Sequence, residues 1–136
     1  MVLFKSLNIS AARMRVQGAR LRVISESLAN ANFTAQAPGE QPYHKKTITF
    51  ETVLDRARGV DLAQVKRIGN DASPFGCRYQ PAHPAADRDG HVLTANVNAL
   101  IEMSDMREAQ RSYEANLRVV QTTRGKLEQT IGILRG

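Results

Sequence analysis

Tryptophan is absent from this chain, and Phe and Tyr bring the aromatic share to only 5% of 136 residues. A large core built on aromatic anchors is therefore not expected, and the apolar content must work through aliphatic and small side chains. Cys77 is the sole cysteine, which excludes an intrachain disulfide and a cysteine-based metal cage. There is no run of eighteen apolar residues, so no transmembrane helix is expected. The start, Met1 to Ala12, has Lys5 as its only charge and no continuous apolar segment, and does not read as a cleavable secretory signal. Proline is confined to Pro38 through Pro84, leaving both ends free of it. Acidic residues are outnumbered, 13 against 19 Lys and Arg, for a formal charge of +6. That balance permits an anionic membrane, nucleic acid or an acidic protein neighbour and selects none of them.

What is present is periodicity. Met106, Tyr113, Val120, Leu127 and Leu134 recur every seven residues. Ala109, Gln110, Leu117, Thr123, Arg124 and Ile131 fall at or next to the complementary heptad positions. This is a helix laying a narrow apolar seam on another helix. The proline-free stretch Asn98 to Arg135 would form a rod of roughly 55 Å. Its partner is found at the other end of the chain. Leu7, Ala11, Met14, Gly18, Leu21, Ser25 and Leu28 follow four-three spacing, broadened by Val16, Val23 and Ile24. The pattern predicts a helix over about residues 5–32, with Gly18 permitting close helix approach. Asn96 or Asn98 is expected to cap the C-terminal helix, with Glu102 and Asp105 near its positive end.

Between the helices the character changes. Lys46 to Phe50 alternates like a strand, with Ile48 and Phe50 on one face, and Gly59 to Gly69 reads as a second, bent strand. Tyr79 and His91-Val92-Leu93 read as short strand pieces around a loop rich in breakers, and Asp89-Gly90 is a tight-turn signal. The expected fold class is α+β: long N- and C-terminal helices paired as a coiled coil, with a small loop-rich β insertion. Residues 1–34 and 96–136 would form one helical core and residues 35–95 the central loop and β region. Two paired helices leave one side of the pair open, so the remaining seam edges should bury against neighbouring subunits. The inference is a polymer.

Candidate chemistry is sparse. Cys77 and His83 could form a nucleophile pair, but no third orienting group has a recognisable context. Asp87, Asp89 and Gly90 echo part of a calcium loop, yet Asn98 stands where the bidentate Glu should be, so a solvated turn is expected. Asn8-Ile9-Ser10 and Asn32-Phe33-Thr34 match the glycosylation triplet at helical positions and are read as chance. No Gly-rich phosphate loop occurs. The expectation is no enzyme activity, no cofactor and no metal. The Arg face of the first helix, Arg13 with Arg20 and Arg15 with Arg22 at seven-residue spacing, gives the alternative reading. That reading is an amphipathic helical module binding an anionic membrane or nucleic acid. Glu108, Glu114 and Glu128 on the other helix complement the Arg face and favour a solvated or subunit-facing surface instead.

Several segments carry a resemblance. Ser27-Leu28-Ala29-Asn30-Ala31-Asn32 resembles the signature of flagellar axial proteins, with Ser27 where Asn usually stands. Tyr79-Gln80-Pro81-Ala82-His83-Pro84-Ala85-Ala86-Asp87 and Arg111-Ser112-Tyr113-Glu114-Ala115-Asn116 follow in order, with Asn96-Val97-Asn98 and Glu102-Met103-Ser104-Asp105-Met106 between them. Together, over nearly the whole chain, they resemble the bacterial flagellar basal-body rod proteins of the proximal rod. The resemblance implies a structural subunit passed through the flagellar type III export apparatus and assembled in the periplasm into a helical drive shaft that carries torque from rotor to hook. It implies as partners other copies of itself, the proximal-rod proteins FlgB, FlgF and FliE, and the distal-rod protein FlgG. No nucleic acid and no direct membrane insertion are implied. The residues expected at subunit packing are Leu7, Met14, Leu21, Leu28 and Asn30 on the first helix. On the second they are Met106, Tyr113, Asn116, Leu117, Val120, Leu127 and Leu134.

Overall fold

The computed structural model describes residues 2–136. The elements run α1 (Val2–Ala29), β1 (Lys46–Asp55), β2 (Val60–Asn70), β3 (Gly76–Tyr79), β4 (His91–Thr94) and α2 (Ala99–Arg135). The fold is α+β, with two long helices at the ends and small strand pairs between them. No helix among the described residues is long and apolar enough to cross a membrane.

The helix ends follow local chemistry. α1 stops at Ala29, three residues before the sequence-based end, because Asn30 diverts the chain. The Asn30 backbone N–H and its carboxamide both donate to the Glu26 carbonyl, at 3.1 and 2.8 Å. Tight turns follow, with Ala31 N–H on Leu28 O and Phe33 N–H on Asn30 O. α2 begins where Asn98 Oδ1 accepts from the N–H groups of Leu100 and Ile101, at 3.1 and 3.4 Å. Asn98 is thus the cap, and Asn96 has another task.

β1 and β2 form a two-stranded sheet joined by four residues. β1 runs five residues past the expected Phe50. The turn is set by Asp55, whose Oδ1 accepts from Ala57 and Arg58 N–H and whose other oxygen pairs with the Arg58 guanidinium. Gly59 then takes φ +62, a conformation L side chains rarely adopt. β3 and β4 pair antiparallel, Gly76 opposite Thr94 and Tyr79 opposite His91. Thr34 bridges to Thr94 alongside them.

The chain divides into two compact units. The first comprises Met1–Leu21, Thr49–Arg67 and Arg107–Gly136. In it α1 and α2 run antiparallel. Ile9, Ser10 and Arg13 line one groove with Asn116 and Val119, while further along α1 Arg20 pairs with Glu108 at 3.5 Å. Ala12 and Val16 are buried beside Leu62, Ala63 and Val65 of β2, so the hairpin covers part of that helix.

The second unit comprises Arg22–Ile48 and Ile68–Met106. Its apolar centre is small: Ala35, Ala85 and Val92, with Ala86 packed against them. The loop before β4 closes through Gly90, at φ +80, whose carbonyl accepts from Gln80 N–H and whose N–H reaches Asp87 O. Asp89-Gly90 is the tight turn its sequence signals.

Candidate assembly surface

The helix seam is offset from the heptad that the large apolar residues mark. The most deeply buried residues of α2 are Glu102, Ala109 and Thr123, a seven-residue register on which Asn116 also falls half-buried. Ala109 has no exposed surface at all. Met106, Tyr113, Leu117, Val120 and Leu127 are half-buried and flank this line. Leu134 is 81% exposed. On α1, Leu7, Met14, Leu21 and Leu28 are likewise half-buried, as is Asn30 just beyond the helix. The buried line there is Ser10, Ala12, Val16, Val23, Ile24 and Ser27. In the first unit Asn116 lies with Ser112, Val16 and Gln17 around one cavity, and with Ile9 and Arg13 around another. The other expected packing residues are spread along both helix flanks rather than gathered into one patch.

Gly18 does not mark a close approach. A methyl group built on it would meet nothing within 4 Å. The α1 stretch around it is buried on other faces, and this one stays open.

Apolar surface remains uncovered at the far end of α2, where Ile131, Ile133 and Leu134 are all exposed. Leu100, Ile101 and Met103 are exposed near its start, in the second unit. Isolated exposed aliphatic residues are ordinary, but clusters of large ones mark contact surfaces.

The root of the hairpin is tied down by polar contacts that hydrophobic pattern alone does not reveal. Lys45 Nζ lies 2.6 Å from Glu102 Oε1, and Lys46 Nζ 2.6 Å from Glu26 Oε1. Adjacent lysines thus reach the two different helices. Tyr43 Oη donates to the same Glu26 oxygen at 3.3 Å. The hydrogen bond from Lys46 holds the Glu26 carboxyl below its ordinary range, and Glu26 in turn raises Lys46. Lys45 is raised chiefly by its bond to Glu102, and Tyr43 chiefly by burial. Asn96 completes the arrangement. Its Oδ1 accepts from Lys45 N–H at 2.7 Å, and its Nδ2 donates to the carbonyls of Asp71 and Ser73. The only sequence signal for it was the Asn-x-Asn pair before α2.

The candidate chemical groups take structural duties. His83 Nδ1 accepts from Ala85 N–H at 3.0 Å, so Nε2 carries the proton and donates to Thr34 Oγ1 at 3.1 Å. Both ring nitrogens are engaged, leaving none to activate Cys77, which is exposed on β3. Asp87 Oδ1 accepts from the N–H groups of Asp89 and His91, the latter bond doing most to lower its carboxyl from the ordinary range. This is a carboxylate organising its own turn. Among the described residues no group of three or more His, Cys, Asp or Glu is placed to hold a metal ion.

A helical pair with a polar, small-residue seam, uncovered apolar ends and side chains committed to structure has the make-up of an assembly component. Comparison with known proteins agrees. The family model for the C-terminal region of flagellar basal body rod FlgEFG proteins matches residues 88–133. A flagellar basal-body rod protein FlgC of Agrobacterium fabrum is 48% identical over 93% of this chain and 91% of its own length. FlgC of Borreliella burgdorferi is 33% identical over the full length of both chains. The chain belongs to the FlgC family of flagellar basal-body rod proteins. FlgC of Bacillus subtilis, at 33% over 98% of this chain, extends the likeness to a third organism. The chain is a structural subunit of the flagellar basal-body rod and associates there with other rod components. Within the family match, Ala109, Asn116 and Thr123 lie in the segment shared with the FlgEFG proteins.

Proposed function

We propose that this chain builds the proximal part of the rod, packing with its own copies and with FlgB, FlgF and FliE, and meeting FlgG toward the distal end. The terminal helices, residues 1–34 and 96–136, serve as the packing core of the tube, and residues 35–95 contact adjacent subunits. The flank residues Leu7, Met14, Leu21, Leu28, Met106, Tyr113, Leu117, Val120 and Leu127, half-buried in the lone chain, finish their burial in the polymer. The observation that carries this is the end of α2, where Ile133 and Leu134 are 80% and 81% exposed in a member of a rod family. Apolar side chains so placed gain their stabilisation only from neighbours, roughly 1.5–3 kcal/mol for each one fully covered.

The same design suits passage through the type III export apparatus in the periplasmic direction. A seam of Ala, Thr and Asn holds weakly in a single chain and is reinforced by mass action once copies interlock. Interlocked helices along a tube wall then carry torque through many packed contacts at once.

The test is replacement of Leu117 and, separately, Leu134 by Asp, with purified basal bodies assayed for the chain and cells for swimming. Loss of rod incorporation with an intact circular-dichroism spectrum in the isolated chain is the expected result. Normal motility in both variants would overturn the proposal. Amide exchange on the monomer gives a second reading: weak protection over the two terminal helices is expected, and strong protection along their whole length would contradict a seam that relies on neighbours.

A further inference from the structure

The two units carry opposite charge. The first holds fourteen Lys and Arg against six Asp and Glu, a balance of +8; the second holds five against seven, a balance of −2. Like units of two copies repel at least on the basic side, whereas unlike units attract. A contact between two different surfaces of one chain repeats from copy to copy, building a ring where the rotation closes and an open helical polymer where it does not.

Each unit also offers a fitting local feature. In the second unit a cleft of about 200 Å³ is lined by the buried Ala35 and Ala85, by Leu93, and by two carboxylates, Glu40 and Asp87. No Lys or Arg lines it. It has room for a side chain, not for a helix. In the first unit the last turn of α2 presents exposed Ile133 and Leu134 followed by Arg135. That turn combines apolar bulk with a cation, the complement of an apolar cleft with two carboxylates. The groove beside α1 in the first unit is a poor alternative, because Lys5 and Arg13 line it and oppose a basic helix end. The His91 amide holds Asp87 below its ordinary carboxyl range, so that charge persists well into acid.

We propose that the end of α2 in one copy docks over the Glu40–Asp87 cleft of the next copy, with one apolar side chain of the Ile133–Leu134 pair entering it and Arg135 facing the carboxylates, setting a head-to-tail contact along the rod. This rests on the proximal-rod reading, since it names the partner surface for the uncovered helix end.

Cys77 lines the same cleft, is exposed, and is the only cysteine, which makes the proposal directly testable. Cells carrying the chain with Leu134→Cys would be treated with a mild oxidant and their basal bodies purified. A ladder of disulfide-linked dimers and larger species, joining Cys77 of one copy to the introduced cysteine of another, is expected. Adding Cys77→Ser should remove the ladder beyond the dimer. Glu40→Arg should lower the cross-link yield about five-fold, the scale of an exposed charge pair. Adding Arg135→Glu should restore it, because each copy then carries both halves of the swapped pair. Ile133→Cys serves as a second probe if Leu134→Cys disturbs assembly. The chain present in basal bodies without a ladder from either probe would overturn the contact while leaving the rod reading intact. A ladder indifferent to Glu40→Arg would overturn its electrostatic basis. Absence of the unaltered chain from basal bodies would remove the rod reading and this contact together.

Discussion

Lys45 and Glu102 form an ion pair, Nζ to Oε1 at 2.6 Å, in which the carboxylate side chain is only 3% exposed. A carboxylate so buried in the first turn of α2 leans on the Lys45 cation. Replacing Lys45 with Met leaves the charge uncompensated and should destabilise the chain by about 2–3 kcal/mol, below the usual range for breaking a buried pair because the ammonium is partly solvated. Glu102→Gln, which removes the charge and keeps the shape, should cost less. Urea unfolding of the two variants checks the order, and equal losses would contradict it.

Gly90 holds the loop before β4. At φ +80 it sits where a Cβ would lie 2.9 Å from Tyr79 Cε2 and 3.1 Å from Pro81 Cβ. Gly90→Ala should therefore destabilise by about 1–3 kcal/mol. The loss should show as faster amide exchange at Val92 and Ala85, with little change in helix content by circular dichroism.

Gly18 should behave oppositely. With open space around its Cβ, Gly18→Ala should stabilise α1 in the isolated chain by about 0.5–1 kcal/mol. A raised melting temperature is the expected readout. Poorer rod incorporation by the same variant would show that a neighbouring subunit uses that space.

Ala109 should resist enlargement. It has no exposed surface, so Ala109→Leu should overpack its surroundings and cost about 1–3 kcal/mol. Leu134→Ala, at an exposed site, should change the isolated chain by less than about 0.5 kcal/mol. Parallel thermal melts separate the two.

The Glu26–Lys46 pair defines a pH window. Glu26 titrates lower in the folded chain than its ordinary 4.5, mainly through Lys46, so the pair's support is present above about 4.5 and lost as pH falls through the folded value. Lys46 titrates above its ordinary 10.5, mainly through Glu26, so the support is complete below that pH and lost as pH rises through the folded value. The melting-temperature gap between the unaltered chain and Glu26→Gln should be level between those limits and shrink beyond both. A gap unchanged at pH 3 would rule the pair out as its source.

Helix existence and length were legible because proline is missing from both ends and large aliphatic residues recur at heptad spacing. Which flank of the heptad is buried deepest was not. Ala109 and Thr123 entered the pattern only as complementary positions beside the large Met106, Tyr113 and Val120, and because Glu102, Ala109, Asn116 and Thr123 are polar or small, hydrophobic periodicity gives no sign that burial is deepest along their line. The extension of β1 past Phe50 was hidden for a related reason. Val53 and Leu54 are both exposed, so β1 shows no clean alternation there. Its end was nonetheless written in Asp55 and Gly59, a turn signal that a reading centred on apolar pattern leaves aside. The Asn96 contacts join residues far apart in the chain, which no local spacing can announce.

Asn96 also sets how force can travel. One carboxamide holds Lys45 at the entrance to β1 and Asp71 at the exit from β2, two residues before the cap of α2. A pull on either strand therefore bypasses the covalent route through the β3–β4 loop and arrives directly at the first turn of the long helix. Load at the hairpin root is shared between that carboxamide, the Lys45–Glu102 and Lys46–Glu26 pairs and the Asp71 N–H bond to the Lys45 carbonyl, so stiffness there rests on a few short polar ties close together.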